Sequence, residues 1–321
     1  MKKVLIIAVA LAAAAWASPP KYEYAGKWGS RGNGNGQFNR PNSVAVAPGG
    51  RVYVDDANDR LQYFTATGIY RGEFSGWTER YTTEGLEVAP TRNVYVGVSD
   101  FYDARNRIEY YTPTGSFLGS WGEWGSGVSQ FRNHIRGLAV ASNRRIYATD
   151  NGNNRVQYFT FSGSFLGSWG TPGSGNGEFD GPWGIAVAPG GNVYVADWQN
   201  SRVQYFTSTG SYLGKWGSHG TGKGQFKFPN GVAVDGEGRV FVADTENHRI
   251  QYFTSSGSFL GSWGSFGSGD NQFNNPKDVA ISVDGRRVYV TDSLNHRIQY
   301  FKQMNPAVAP ASLGRVKALF K

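Results

Sequence analysis

Cysteine is absent from all 321 residues, which excludes disulfides, a thiol nucleophile and the modified cysteine of a diacylated lipoprotein, so packing alone must hold the fold. Histidine is nearly as scarce, with four copies, and neither a Gly-x-Ser-x-Gly nucleophile elbow nor an Asn-x-Ser/Thr sequon occurs. The apolar stretch from Val4 to Ala15 is too short to span a bilayer comfortably. No helical pattern interrupts the body of the chain. What the chain has in quantity is glycine, with 45 copies, and aromatic residues, at 15%.

These residues recur in order. The block Asp197-Trp198-Gln199-Asn200-Ser201-Arg202-Val203-Gln204-Tyr205-Phe206 belongs to a unit whose arginine falls at Arg60, Arg107, Arg155, Arg202, Arg249 and Arg297, at intervals of 47 or 48 residues. So steady a period marks an array of six like units. Each reads as four short strands. In the fourth copy, Gly184 to Ala188 is an apolar run ended by the turn Pro189-Gly190-Gly191, and Asn192-Val193-Tyr194-Val195 alternates as a half-buried strand does. After a polar loop come Arg202 to Thr207, rich in β-branched and aromatic residues, the turn Ser208-Thr209-Gly210, and a fourth strand from Ser211 to Gly217. Four strands at this period make one blade of a β-propeller, so the fold class is all-β, a ring of six four-stranded blades.

The ends of the chain show how the ring closes. The sixth copy stops after its third strand, and the first is preceded by Tyr24-Ala25-Gly26-Lys27-Trp28-Gly29, which matches Tyr212-Leu213-Gly214-Lys215-Trp216-Gly217. Residues 22 to 29 are therefore expected to supply the outer strand of the last blade, beside residues 297 to 302, and to remove two free edges. Trp28, Trp121, Trp169, Trp216 and Trp263, with Phe74 in the first copy, share one place in the fourth strand. Their regular spacing points to packing between blades rather than to an exposed sugar-stacking ring. Each buried indole would contribute roughly 4 to 6 kcal/mol gross, an upper bound because the unfolded chain is not fully extended.

A second recurring group is architectural by the same logic. Asp150, Asn153 and Arg155, like Asp244, Asn247 and Arg249, sit in a short loop where acid and amide can bond backbone N–H groups and arginine can pair with the carboxylate. The first copy is one residue short, so that Asp55 matches when counted back from Arg60, and the second carries an insertion near Phe101 to Ala104 with Tyr102 in the aspartate's place. The signature Asn247-His248-Arg249-Ile250 and Asn295-His296-Arg297-Ile298, with its preceding Asp and following Gln-Tyr-Phe, resembles that of NHL-repeat proteins. The Gly-Gln-Phe before the first strand and the Trp-Gly after the fourth recur in register with it. The resemblance spans residues 22 to 302 and implies a six-bladed propeller. Fold is better determined than function.

The termini suggest a compartment. Met1-Lys2-Lys3, the apolar stretch and Ala15-Trp16-Ala17 read as a signal peptide over residues 1–17 of a bacterial-type exported protein, secreted or periplasmic, without membrane insertion after cleavage. Residues 303–321 read as a Pro/Ala linker and a short basic tail. The net charge of +8, less Lys2, Lys3, Arg315, Lys317 and Lys321, leaves +3 on the body. Some relatives implied by the resemblance bind RNA on a strongly basic face, which a nearly balanced exported body does not offer.

The resemblance also brings in six-bladed metal-dependent lyases and lactonases, whose ligands project into the channel. Here His248 and His296 are the variable residue between Asn and Arg, His219 lies in a Gly-rich loop and His134 precedes a first strand, so they form no converging trio for zinc. No catalytic or metal residue is assigned. One equivalent position is not held constant as the others are: two residues before the leading aliphatic residue of the first strand stand Asn42, Glu84, Arg136, Trp183, Asn230 and Lys277, different or functional-looking choices where one small residue would serve an architectural array. In a closed ring these point to the axis at the channel mouth, where Glu84, Arg136 and Lys277 would bind a polar ligand and Trp183 would form an apolar wall. The preferred reading is a monomeric, non-catalytic scaffold without cofactor, binding a protein or glycan through its loop face. The alternative is a metal-assisted lyase or hydrolase with Glu84, Asn42 and Asn230 around Ca²⁺ or Mg²⁺.

Overall fold

The computed structural model describes residues 20–58, 60–75, 81–100 and 106–304. The expected signal peptide, the insertion near Phe101 and the tail beyond 304 lie outside them. Six four-stranded antiparallel sheets follow one another in the chain, with first strands Ser43–Val46, Tyr81–Val88, Ile135–Val140, Pro182–Val187, Pro229–Val234 and Pro276–Ile281. These first strands pack against one another around the ring and line the axis.

Closure is as the sequence predicts. Tyr22–Trp28 pairs antiparallel with Arg297–Gln303, Tyr22 opposite Gln303 and Trp28 opposite Ile298, completing the sixth blade. Each complete blade carries an irregularity between its third and fourth strands, and the closing pair repeats it between Tyr24 and Gly26.

The recurring glycines and aromatics explain one another. A Cβ on Gly217, whose φ is +106°, would stand 2.7 Å from the ring of Phe226, so the Gly of each Trp-Gly makes room for the Phe that follows. A Cβ on Gly214 would stand 2.6 Å from the Tyr205 ring. The tryptophans lie between blades: Trp216 sits beneath Gly257 of the next blade and 5.5 Å from Phe253, and Trp169 stands in the same way to Phe206 at 5.6 Å. Their reading as packing residues holds.

The second strands carry one further mark of closure. Tyr53, Tyr147, Tyr194 and Tyr289 donate their hydroxyls to the turn carbonyls of Pro113, Ser208, Ser255 and Ala66 in the neighbouring blade, at 2.9 to 3.0 Å. Blade five has Phe241 at this place. Its neighbour is blade six, whose outer strand Tyr22–Trp28 is not joined to Arg297–Gln303 by a turn, and Tyr22 packs edge-on against Phe241 at 5.4 Å instead.

Candidate functional site

The loop between second and third strands is built the same way in four blades. Asp150, Asp197, Asp244 and Asp292 are fully buried and accept from Nε of Arg155, Arg202, Arg249 and Arg297 at 2.6 to 2.7 Å. Arg202 also donates to the carbonyls of Ser174, Gly175 and Glu178, and Gln204 bridges Glu178 O and Asp197. Burial pushes the carboxyls of Asp150, Asp197 and Asp244 up, and the hydrogen bonds from backbone, Asn and Arg pull against it.

Two details differ from expectation. In blade one it is Asp56, and not Asp55, that stands opposite Arg60 and pairs with it at 3.6 Å. The loop is shortened by one residue, which moves the carboxylate one place along the strand, and Asp55 lies opposite Ser43. In blade two Arg107 turns to Glu109 at 2.5 Å, a carboxylate in the place where other blades have Gln. Tyr102 lies outside the described residues. His248 and His296 have left-handed backbones and accept at Nδ1 from the N–H groups of Asn275 and Arg40, both at 3.1 Å, so they stitch neighbouring blades and face no common centre.

The channel mouth is formed where the first strands begin. In blades two to six the register of first against second strand shifts at this end, the sign of a bulge, which turns one side chain toward the axis. Close approach is possible because Gly137 and Gly184 occupy the next position: a Cβ on either would stand 2.5 Å from a carbonyl of the following blade. A cavity of about 210 Å³ results, lined by Asn42, Glu84, Arg136, Trp183 and Lys277 among others. Five of the six residues predicted at the mouth therefore share one cavity. Asn230 does not line it; it is 3% exposed, and its Oδ1 has no hydrogen-bond partner.

Within the mouth the groups are paired unevenly. The Arg136 guanidinium forms an ion pair with Glu84 and lies 4.1 Å from the Trp183 ring, and His134 stands 3.5 Å from the same carboxylate. Burial lowers the pKa of Arg136 and of His134, and Glu84 opposes both shifts. Lys277 donates to Asn42 Oδ1 at 2.9 Å, and burial lowers its pKa as well.

Two carboxyls deeper in the cavity were not predicted. Glu87 stands where the other first strands have Ala45, Ala139, Ala186, Ala233 and Ala280, and Asp278 stands where blades two to five have glycine. Both keep some exposure because they face the lumen, yet protein surrounds them, and burial pushes each to a pKa of about 7. Asp278 accepts from Val44 N across the closing interface at 3.0 Å, and its charge further raises Glu87. The departure from Ala and Gly at these repeat positions is the sequence signal that marks them.

At the lip, Trp198 lies 5.3 Å from Trp183 and 4.8 Å from Phe228, an aromatic shelf over blades four and five. No group of three or more His, Cys, Asp or Glu suited to a metal occurs among the described residues.

Comparison with known proteins agrees with this architecture. The family described as NHL repeat matches residues 133–159, 179–206, 226–253 and 273–301, which are blades three to six. No curated protein matches the chain in sequence. A structure of streptogramin B lyase superposes with a TM-score of 0.61 at 13% identity, over 89% of this chain and 98% of that one. A gluconolactonase from Xanthomonas campestris does so with a TM-score of 0.61 at 14% identity, over 84% of this chain and 88% of that one. At such identities the likeness is one of fold. Four matched repeats, six antiparallel blades and a ring closed by the N-terminal strand identify the chain as a member of the NHL-repeat family, a six-bladed β-propeller.

Proposed function

We propose that this propeller is a non-catalytic exported binding module, monomeric and without a cofactor, that takes a polar group of a glycan or protein partner at the mouth of its channel. One observation carries the reading: side chains that differ from blade to blade at an equivalent position, Asn42, Glu84, Arg136, Trp183 and Lys277, converge on a single cavity. An architectural array has no need of five different residues there. The test is a binding screen of glycans and protein fragments against the mature protein and against the triple variant Glu84→Ala, Arg136→Ala, Lys277→Ala, with the unfolding midpoint checked. Retention of every specific binder by the variant would overturn the reading.

A metal-assisted lyase or hydrolase is the second reading, supported by the two lumen carboxyls, Glu87 and Asp278, whose ionisation near neutral pH suits acid–base chemistry. The ligand set first considered for it does not fit: Glu84 is held by Arg136, Asn42 Oδ1 by Lys277, and Asn230 does not line the cavity. Metal analysis of the purified protein separates the readings, since a stoichiometric divalent ion would favour the enzyme.

A further inference from the structure

The circumference of the mouth divides into two arcs of different character. Across blades two and three, Glu84 and Arg136 neutralise each other, and Arg136 covers one face of Trp183. Little binding capacity is left there. From blade four round to blade one the opposite holds.

On that second arc Lys277 hydrogen-bonds the neutral Asn42 amide, and the Glu84 and Asp55 carboxylates act on it through space without forming an ion pair. Among the described residues no carboxylate forms an ion pair with Lys277, nor with the exposed Arg31 and Arg40. Arg31 and Arg40 line a neighbouring cavity of about 460 Å³ with His296 at the junction of blades six and one. Because Lys277 occupies Asn42 Oδ1, the Asn42 amide nitrogen is left as a second donor beside the ammonium, and a carboxylate can accept from both. The desolvated ammonium gains most from such an anion, since burial already disfavours its charge.

Trp183, the inner member of the aromatic shelf, lines the same cavity as Lys277 and Asn42. Trp198, Trp183 and Phe228 stand where the other blades carry smaller or polar residues: Asn151, Thr245 and Ser293 correspond to Trp198, and Asn133, Gly181 and Asn275 to Phe228. Phe228 keeps the left-handed φ of +50° shared by that position, which Asn133, Gly181 and Asn275 and, in blade one, Arg40 also adopt, a conformation that favours Asn and Gly and is disfavoured for a bulky ring. Three aromatic rings have thus been gathered at one lip, one of them against its backbone preference. An angled aromatic wall, its rings tilted by 45° and 39° to one another, on a cavity that also holds a cation and an amide donor matches the apolar ring face and acidic substituent of a charged sugar. A protein partner would instead call for a deep apolar pocket to take an anchor side chain, and the groups that reach into this cavity from Glu84, Arg136, Lys277, Glu87 and Asp278 are charged or acidic.

We propose that this arc seats a uronic acid residue of an acidic glycan, its ring along Trp183, Trp198 and Phe228 and its carboxylate between the Lys277 ammonium and the Asn42 amide. The inference rests on the binding-module reading and names the ligand class of that site.

Tetramers of galacturonic, mannuronic and glucuronic acid, their methyl esters and a glutamate octapeptide are titrated against the mature protein by calorimetry. At least one acid tetramer should bind ten-fold or more tightly than its methyl ester. Lys277→Met should bring that acid down to the level of its ester, Lys277→Arg should retain most of the preference, and Trp198→Ala should weaken acid and ester alike by about ten-fold. Unfolding midpoints of the variants serve as the control for folding. No acid preferred over its ester, or a preference that survives Lys277→Met, overturns the uronate assignment. Binding of the octapeptide but of no uronate, lost in the Glu84, Arg136, Lys277 triple variant, also overturns it while leaving the channel-mouth reading intact. A uronate bound equally by wild type and triple variant overturns both.

Discussion

The inter-strand loops and the channel mouth lie on the same face of the ring, yet they use charge in opposite ways. In the loops Asp197 and its counterparts are fully buried, each meets an arginine at 2.6 to 2.7 Å, and Arg202 spends its remaining N–H groups on three carbonyls. Nothing remains for a ligand. At the mouth the five lining residues Asn42, Glu84, Arg136, Trp183 and Lys277 all differ, and Lys277 hydrogen-bonds only a neutral amide. In a repeat protein, sameness with complete internal hydrogen bonding marks architecture, and difference with unused capacity marks the place where the array can be put to use. Blade two sharpens the point. Its Arg107 pairs with Glu109, so the architecture needs a carboxylate for this arginine but not at one fixed position.

The comparison predicts that damage to the architecture is felt in stability and damage to the mouth in binding. The largest effect is expected from deleting residues 18 to 28. This opens the edge of Arg297–Gln303 and removes Tyr22 from its stack with Trp263 at 5.1 Å and Trp28 from between Phe64 and Tyr289. At roughly 1.5 to 3 kcal/mol for each large side chain uncovered, the loss approaches the 5 to 15 kcal/mol that holds a typical domain together. Calorimetry should show no cooperative transition; a retained one would mean that the ring does not depend on its clasp.

Next in size is Arg202→Ala, which strands the buried Asp197 and three carbonyls. It should cost about 3 to 5 kcal/mol in denaturant unfolding without a selective change in binding. An unchanged midpoint with binding abolished would move the loops from architecture to function.

The lumen carboxyls give a smaller effect with a definite sign. Glu87 and Asp278 hold protons in the folded state up to about pH 7 that the unfolded chain releases near its ordinary carboxyl values, 4.5 and 3.8. The folded state thus binds more protons across that window, and stability falls as pH rises from about 4 to about 7. Asp56, raised to about 6, adds to the same trend. The double variant Glu87→Gln, Asp278→Asn should flatten the fall by on the order of 1 to 3 kcal/mol, read from urea midpoints between pH 4 and 8. A slope equal to that of the wild type would show that other groups set it.

The smallest effect tests the neutral arc. Glu84→Ala alone leaves Arg136 without its carboxylate and should destabilise by about 2 kcal/mol, whereas Glu84→Ala with Arg136→Met should come within about 1 kcal/mol of wild type. Additive losses in this cycle would mean that the two charges act independently, against their pairing at the mouth.

Much of this was legible in the chain and some was not, for physical reasons tied to particular residues. The spacing of the repeat arginines led to six blades, and the match of Tyr24 to Gly29 with Tyr212 to Gly217 led to the clasp, because both depend on local pattern. Asp56 was misplaced by one residue because counting along a shortened loop does not tell which carboxylate faces the arginine. Glu87 and Asp278 were passed over because positions held by Ala and Gly read as spacers, although the substitutions themselves were the clue. Asn230 belongs to the predicted ring by register but does not reach its lumen.

By itself the sequence determined the number of blades, the strands within each, the closing strand and the positions where copies differ, since periodicity, turn residues and aromatic spacing act over short stretches of chain. Only the tertiary structure decided which of those differing residues meet. Glu84 and Arg136, 52 residues apart, meet where two successive blades pack, whereas Lys277 and Asn42, 235 apart, meet only because the ring closes, and neither pairing follows from position in the sequence. Which charge is neutralised and which remains available at the mouth is therefore a property of the closed ring.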